Sequence, residues 1–381
     1  MKQNIKKIDT LNTPCLILDK EILKNNCNNV FAKCKNLGVN LRPHVKTAKC
    51  TEVAKIALNN EIGPITVSTL QEAEYFASSS YKDILYAVGI VPTKLPRIKN
   101  IQKKYNCIIK IILDSVEMAK AVVNYAKSNK VNLEILVEID SGEGRSGLKP
   151  NDKKLIEIAS IFKPNSYTRL MGVMTHAGHS YNSNNLKVVS KIANKEKEYI
   201  LSAANKLKMS EHPCPVVSMG SSPTIIFADN FDGVTEVRCG VYMFWDLAQV
   251  SRKVCSIEDI AVTVLASVIN HNHQDKRIIV DAGALALSKD ISANKFMPKT
   301  GYGLVCDLNT AIPYTDLNIS EVHQEHGTIN ITNEKWFQHL PIGSLVRIKP
   351  NHSCLTCAGH DKYNILENNS ITESWSRING W

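Results

Sequence analysis

Short apolar runs alternate with amphipathic stretches from about residue 14 to residue 250. A short apolar run between polar turns predicts a buried strand, whereas apolar residues spaced three and four apart predict a helix. The predicted strands are 14–18, 65–68, 84–87, 108–113, 133–139, 170–175, 216–219 and 235–238. The predicted helices between them include 20–37, 50–58, 70–78, 115–127 and 186–207. This alternation predicts an α/β fold, a parallel (β/α)8 barrel of the TIM type.

The pattern changes after about residue 255, where the runs become β-rich and short, with almost no helical period. These runs read IAVTVLASVIN, KRIIVDAG, SLVRIKP and ITESW. We therefore expect a barrel over residues 12–250 and a β domain over residues 251–381, with residues 1–11 as a candidate additional strand of the β domain.

Composition is that of an ordinary globular protein, since 44% of the 381 residues are hydrophobic and 22% are charged. No apolar run is long enough for a membrane span, and no apolar stretch follows the basic N-terminus, so the sequence predicts a cytoplasmic protein with no membrane partner. Eleven cysteines at scattered spacings predict reduced core thiols.

The formal net charge of +10 arises from lysines that are interleaved with acidic residues. Nucleic-acid binding proteins more often gather their basic residues into one stripe with aromatic residues between them. We therefore expect no nucleic-acid partner, and the positive charge favours anionic small molecules as substrates.

Chemistry in a parallel barrel collects at the carboxyl ends of the strands. The polar residues that close or follow the apolar runs are Lys46, Arg145, His176, Ser221, Ser222 and Arg238. We expect these side chains to face one mouth of the barrel.

Lys46 lies in LRPHVKTAKC, a segment that begins like a buried strand. One interpretation is a surface cation. The other is an amine that is partly desolvated in the barrel mouth, which can form an imine or act as a base. An aldehyde cofactor such as pyridoxal 5'-phosphate (PLP) would use such an amine. SMGSSPT, residues 218–224, would suit the cofactor's phosphate, although a polar turn before a helix has the same pattern.

Several longer motifs occur in one order along nearly the whole chain. They are RPHVKTAK, VSTLQEAE, DSGEGRSG, THAGHSY, MGSSPT, TEVRCGVYMFWD, VDAGALALS, QEHG and PNHSCLTCAGHD. This order resembles that of eukaryotic-type, zinc- and PLP-dependent D-serine dehydratases, D-threonine aldolases and 3-hydroxyaspartate dehydratases and aldolases. The resemblance implies an alanine racemase-like architecture, in which a PLP-binding barrel precedes a β domain.

The resemblance also implies roles for the cofactor-binding residues. Lys46 would hold PLP as a Schiff base, Arg145 would approach the phenolic oxygen, and His176 with Tyr181 would flank the ring. The phosphate would be bound by Gly220, Ser221, Ser222, Gly240 and Val241. Arg238 would lie beside the pyridine nitrogen, and because an arginine does not give up its proton, that nitrogen would stay unprotonated and the ring would be a weaker electron sink.

Because the ring would be a weaker electron sink, the reaction would need further activation, which a divalent metal would supply. His352 and Cys354 are two residues apart, which on a strand places both side chains on one face, and an imidazole with a thiolate is a fragment of a zinc site. A buried histidine and cysteine in a β core give the same pattern, and a closed site that adds Cys357 and His360 is a further alternative. The resemblance assigns only the first two as ligands, and a cysteine favours zinc over harder divalent metals.

The implied reaction is the dehydration of D-serine or D-threo-3-hydroxyaspartate to a 2-oxo acid and ammonia. Lys46 would remove the α-proton, and the metal on His352 and Cys354 would make the β-hydroxyl a better leaving group. The alternative is a retro-aldol cleavage to glycine and an aldehyde, as in D-threonine aldolase.

Two further functions remain open from the sequence. A non-catalytic PLP carrier of this superfamily lacks the β domain, and a two-base racemase would need a base from the β domain of its partner and would leave the metal pair unexplained. Family analogy implies a homodimer.

Overall fold

The computed structural model describes residues 6–163 and 167–381. The chain forms two compact units. The β unit comprises the chain up to Cys27 together with Val241–Arg377, and the barrel unit comprises Asn28–Gly240 together with Ile378–Trp381. The barrel predicted for residues 12–250 and the β domain predicted for residues 251–381 do not coincide with this division.

Strands and helices are numbered in chain order. The strands are β1 (Cys15–Asp19), β2 (Asn40–Leu41), β3 (Ile65–Val67), β4 (Asp83–Gly89), β5 (Ile108–Leu113), β6 (Leu133–Ile139), β7 (Thr168–Thr175), β8 (Val216–Met219), β9 (Glu236–Val237), β10 (Val262–Asn272), β11 (Arg277–Val280), β12 (Gly303–Cys306), β13 (Pro313–Asn318), β14 (Glu321–Val322), β15 (Gly327–Asn330), β16 (Leu345–Pro350), β17 (Lys362–Glu367) and β18 (Ser370–Ser376). The helices are α1 (Lys20–Asn36), α2 (Thr51–Ala57), α3 (Leu70–Ser78), α4 (Leu95–Tyr105), α5 (Val116–Asn129), α6 (Lys154–Ile161), α7 (Leu186–Met209), α8 (Ser222–Phe227), α9 (Leu247–Ser251), α10 (Ala284–Leu287), α11 (Lys335–His339) and α12 (Ser353–Ala358).

The barrel unit contains an eight-stranded parallel sheet in the order β2-β9-β8-β7-β6-β5-β4-β3. A parallel bridge between His44, just beyond β2, and Thr66 of β3 joins the two ends of this sheet. Apolar runs such as β5 and β6 are buried along most of their length, as expected for strands covered on both faces. The predicted parallel barrel is therefore confirmed.

One predicted barrel strand was assigned to the wrong sheet. The run at 14–18 forms β1, which pairs antiparallel with β10 and parallel with β17. The place of this run in the parallel sheet is taken by β2, a strand of two residues that the hydrophobic pattern did not reveal. A short apolar run indicates burial but does not specify its partner strands, which explains the error.

The β unit is built on a ten-stranded sheet with the path β13-β12-β16-β10-β1-β17-β18, and β11, β14 and β15 extend it beside β10. The four tail segments that we predicted as β-rich contribute β10, β11, β16 and β18. Within the region of the candidate N-terminal strand, Lys6 forms an isolated bridge with Ile371, whereas residues 1–5 lie outside the described part of the chain.

All eleven cysteines are free thiols, in agreement with the prediction of reduced cysteines. In the described ranges, the helices are too short or too polar to cross a membrane.

Candidate active site

Lys46 lies in a turn that follows β2, and its side chain is exposed. The desolvation that we expected around this amine is therefore not provided by the described residues. Two backbone hydrogen bonds hold this turn in place. The His44 N–H donates to the Cys239 carbonyl at 2.7 Å, and the Val45 N–H donates to the Thr66 carbonyl at 2.9 Å. Burial, with the nearby charge of Lys46, lowers the pKa of His44 well below its usual value.

His176 follows β7 and is close enough to Lys46 for their charges to interact. Burial and the positive charge of Lys46 lower the pKa of His176 to about 3, so the imidazole is neutral at physiological pH. His176 Nδ1 lies 2.9 Å from the Gly220 carbonyl oxygen. A carbonyl only accepts hydrogen bonds, so Nδ1 carries the proton and Nε2 offers a lone pair.

The turn Gly220–Ser222 packs closely against neighbouring residues at Gly220. Gly220 has φ +128°, and a Cβ at this position would lie 2.7 Å from Ile225 Cδ1 and 2.8 Å from the Arg238 carbonyl oxygen. Ser221 caps α8 through a capping box with Thr224. Ser222 Oγ is buried and has no hydrogen-bond partner among the described residues. Such a hydroxyl fits an anionic group such as the phosphate of PLP.

The other proposed cofactor contacts are Tyr181, Gly240 and Val241. The Ser222 N–H donates to the Tyr181 hydroxyl at 3.3 Å. At Gly240, a Cβ would lie 2.5 Å from the His44 carbonyl oxygen, so only glycine fits against the turn that carries Lys46. Val241 is buried and begins a short 3-10 helix, Val241–Met243.

Arg145 lies in the loop after β6. Its guanidinium is 3.8 Å from Glu138 and 3.6 Å from Glu143, and 56% of its side chain is exposed. The charge of Arg145 also contributes to the lowered pKa of His176, after burial and Lys46. Arg145 therefore belongs to the same electrostatic neighbourhood as Lys46.

Arg238 is buried directly after β9. Its Nη1 donates to Ser218 Oγ at 2.5 Å, and its Nη2 donates to the Thr175 carbonyl at 2.6 Å. Burial lowers the pKa of Arg238, while the negative charge of Glu236 opposes this shift. Arginine begins from such a high pKa that the side chain remains a cation.

Sequence reasoning missed Glu196, which lies on α7. Glu196 is fully buried, and its Oε1 accepts a hydrogen bond from the Gly220 N–H at 3.0 Å. Burial raises the pKa of this carboxyl to about 7. Nothing in the local sequence, NKEKEY, distinguishes this glutamate from exposed neighbours.

His352 and Cys354 do not lie on a strand, contrary to the prediction. His352 is the N-cap residue of α12, and Cys354 lies in its first turn. The cause is Asp246, which is buried and whose Oδ2 accepts the Ser353 N–H at 3.0 Å and the Ser353 hydroxyl at 3.3 Å. This distant carboxylate satisfies the start of the helix in a way that the local sequence did not indicate.

The imidazole and the thiol are nevertheless neighbours. Burial lowers the pKa of His352, but hydrogen bonds with Asp290 and Cys354 outweigh it and raise this pKa to about 11. His352 Nδ1 lies 3.2 Å from Asp290 Oδ2, which leaves Nε2 as the nitrogen that can bind a metal. At this raised pKa the imidazole is protonated, so a metal would have to displace the proton on Nε2. Asp290 was also missed from the sequence.

The closed four-ligand alternative does not form. His360 Nε2 donates to the Ala286 carbonyl at 3.0 Å, and Cys357 is fully buried. Within residues 6–163 and 167–381, no group of three or more His, Cys, Asp or Glu side chains is arranged to hold a metal ion. A metal held by His352 and Cys354 alone stays a prediction.

Comparison with known proteins identifies relatives of the whole chain. Residues 18–247 match the family described as "Alanine racemase, N-terminal domain", and residues 261–366 match the "Putative serine dehydratase domain". The chain is 37% identical to D-threo-3-hydroxyaspartate dehydratase of Delftia sp., covering 98% of each protein. It is 33% identical to D-serine dehydratase of Dictyostelium discoideum, covering 100% of each.

A solved structure extends this similarity to the fold. A cysteine-to-alanine variant of D-threo-3-hydroxyaspartate dehydratase in the metal-free form has a TM-score of 0.95 and 36% identity. The match covers 98% of this chain and 100% of that one.

Proposed function

Because the chain belongs to the alanine racemase N-terminal domain family and continues into a serine dehydratase domain, we propose that it is a PLP- and zinc-dependent lyase of D-β-hydroxy amino acids. Its reaction is the dehydration of D-serine or D-threo-3-hydroxyaspartate to a 2-oxo acid and ammonia. The observation that carries this proposal is similarity to two dehydratases over the whole chain, which includes the segment with His352 and Cys354.

The residues assigned to the cofactor fit PLP, and all of them except Val241 belong to the barrel unit. Lys46 would hold the cofactor covalently, Arg145 would bind its phenolic oxygen, Arg238 its ring nitrogen, and His176 and Tyr181 would flank the ring. The phosphate would lie against the backbone of Gly220, Gly240 and Val241 and the hydroxyls of Ser221 and Ser222. The unpartnered Ser222 Oγ and the space that a Cβ would fill at Gly220 support this placement. Bound PLP supplies an electron sink for a carbanion at the substrate's α-carbon.

Side chains of the protein perform the remaining roles in the proposed reaction. The Lys46 amine takes the α-proton, and its exposure leaves it accessible to a substrate. His176 stays neutral and offers only a lone pair at Nε2. Arg238 stays charged and donates hydrogen bonds without giving up a proton.

The residues of the β unit fit a zinc ion. His352 and Cys354 would be its protein ligands, and Asp290 would orient the imidazole. A bound zinc ion supplies a Lewis acid for the departing β-hydroxyl. Support comes from the 3.2 Å contact of Asp290 with the imidazole and from the relative whose cysteine-to-alanine variant is described as being in the metal-free form.

We further propose that the protein is a cytoplasmic homodimer that acts on a small-molecule amino acid, without a nucleic-acid or membrane partner. The homodimer follows from family analogy, and the interleaving of basic and acidic residues supports a small molecule rather than a nucleic acid as the partner.

Product analysis tests the reaction. The protein reconstituted with PLP and Zn²⁺ is given D-serine, D-threo-3-hydroxyaspartate and D-threonine in separate incubations, with L-serine as the stereochemical control. We expect a 2-oxo acid and ammonia in equal amounts from D-serine or from D-threo-3-hydroxyaspartate. Glycine with an aldehyde would identify an aldolase instead, and racemised substrate without either product would identify a racemase.

A further inference from the structure

A continuous chain of polar contacts runs through the barrel unit. Its members, in order of contact, are Arg238, Ser218, Glu236, Arg42, Asp83, Lys110 and Glu134. The charged members alternate between cation and anion along the whole chain. Interiors of parallel barrels are usually filled by branched apolar side chains, so this arrangement requires a reason.

The first two contacts join Arg238 to a carboxylate through one hydroxyl. Arg238 Nη1 donates to Ser218 Oγ at 2.5 Å, and the Ser218 hydroxyl donates to Glu236 Oε1 at 2.7 Å. Ser218 and Glu236 are direct neighbours in the register of β8 and β9. The Ser218 hydroxyl therefore has a fixed direction, since its proton goes to Glu236 and its lone pair accepts from Arg238.

The other oxygen of Glu236 accepts a hydrogen bond from Arg42. Arg42 Nε donates to Glu236 Oε2 at 2.8 Å, and the two terminal nitrogens of Arg42 donate to the two oxygens of Asp83 at 2.9 and 3.2 Å. Lys110 Nζ donates to the same carboxylate at 2.5 Å. This bidentate pairing fixes Arg42 and, through it, the orientation of Glu236.

The Glu236 carboxylate makes the largest contribution to the charge compensation of Arg238, and Glu196 and Glu138 add smaller ones. The guanidinium is buried, and among the described residues no carboxylate lies within the 4.0 Å of an ion pair with it. A buried charge without a partner is costly, and of these three carboxylates Glu236 is the one joined to Arg238 by hydrogen bonds, through Ser218. The Thr175 carbonyl fixes the second terminal nitrogen at 2.6 Å.

We propose that Ser218 and Glu236 are positioning residues that hold the charged Arg238 guanidinium against the ring nitrogen of the cofactor. This inference rests on the proposed function, because it takes PLP as the group beside Arg238. Arg42 and Asp83 anchor Glu236, whereas Glu134 lies at the far end of the polar chain and contacts only Lys110 within it, at 3.5 Å.

The test uses the holoenzyme reconstituted with PLP that carries ¹⁵N in the ring. The variants are Ser218→Ala, which removes the hydroxyl, and Glu236→Gln, which removes the charge. Glu134→Gln is the matched control, since it is the same carboxylate-to-amide change at the far end. The readouts are the ring-nitrogen NMR resonance, the visible absorbance of bound PLP and the dissociation constant of PLP.

We expect Ser218→Ala and Glu236→Gln to shift the ring-nitrogen resonance and to weaken PLP binding roughly tenfold, the effect of one misplaced hydrogen bond. The control should keep the resonance of the unmodified protein. A resonance in Ser218→Ala that equals that of the unmodified holoenzyme would overturn the inference. If Ser218→Ala does not fold, an unshifted resonance in Glu236→Gln overturns it equally. Failure of the unmodified protein to bind PLP would instead refute the proposed function.

Discussion

At the scale of single residues, the proposed reactive centre of the barrel unit is the pair Lys46 and His176. Burial of part of the His176 ring, together with the positive charge of the exposed Lys46 amine, lowers the pKa of the imidazole and keeps it neutral. The His176 tautomer is fixed by the Gly220 carbonyl, so the two groups have distinct chemical properties. An accessible amine is the group that an aldehyde cofactor requires to form an imine.

Replacement of Lys46 by alanine removes the only group assigned to bind PLP covalently. We expect Lys46→Ala to lose the visible absorbance band of lysine-bound PLP, because noncovalent PLP keeps a free aldehyde. Lys55→Ala is the control, since Lys55 is an exposed lysine on α2. Absorbance spectra of the two reconstituted variants check this prediction, and a band that persists in Lys46→Ala would show that the lysine is wrongly assigned.

The sequence revealed individual site residues better than their surroundings. His176 and Arg238 could be proposed because each closes or follows a predicted strand, and Lys46 could be proposed because its motif RPHVKTAK is recognisable. Glu196 and Asp290 could not, because their roles depend on contacts with Gly220 and His352 that are distant in the chain. No local pattern specifies such contacts.

The turn between β8 and α8 is the central feature at the scale of elements. It brings Gly220 against the Arg238 carbonyl and places the buried Ser222 hydroxyl without a partner. The capping box of Ser221 with Thr224 fixes the start of α8. The conformation of the turn is therefore fixed by contacts within the chain, and the Ser222 hydroxyl is the group that we propose for the phosphate.

Gly220→Ala tests this turn. The added Cβ would meet the Arg238 carbonyl oxygen at 2.8 Å, and alanine rarely adopts the φ of +128° found here. We expect PLP affinity to fall roughly tenfold or more, from a strain of about 1–3 kcal/mol. Gly89→Ala is the control, because no atom lies within 4 Å of its added Cβ. Fluorescence titration with PLP measures both variants, and equal affinities would contradict the assigned phosphate site.

At the scale of elements, the sequence predictions were wrong about which strands pair with each other and about the structure that begins at Ser353. The runs that form β5, β6 and β8 were predicted with the observed bounds. The run that forms β1 was equally clear but pairs with β10 and β17, and the two-residue β2 is too short to carry a pattern. The helical start at Ser353 depends on Asp246, about a hundred residues earlier in the chain.

At the scale of the whole molecule, each compact unit carries one set of candidate groups. Lys46, His176 and Arg238 belong to the barrel unit, whereas His352, Cys354 and Asp290 belong to the β unit. The relatives of known activity match the chain across both units. The proposed reaction therefore requires the complete chain.

Burial of Glu196 makes the stability of the molecule depend on pH. Its pKa is about 7 in the folded protein, against an ordinary value of 4.5, so folding favours the protonated carboxyl. This contribution is fully present below pH 4.5 and is lost as pH rises to 7, a change of about 3 kcal/mol. We expect the stability of the unmodified protein relative to Glu196→Gln to fall by that amount over this range.

Urea unfolding of both proteins in the absence of PLP, at intervals from pH 4.5 to 7.5, checks this expectation. The glutamine variant lacks the titrating group, so it serves as the reference at every pH. Parallel stability curves for the two proteins would show that Glu196 does not titrate in this range.

The central proposal is that the reaction requires both PLP on Lys46 and a metal on His352 and Cys354. Its most direct test measures 2-oxo acid formation from D-serine and D-threo-3-hydroxyaspartate before and after chelation of the metal, while the absorbance of bound PLP is followed. The account predicts a loss of roughly a hundredfold or more, with the PLP band retained and activity restored by Zn²⁺. Turnover that is unchanged in the chelated, metal-free holoenzyme would contradict it.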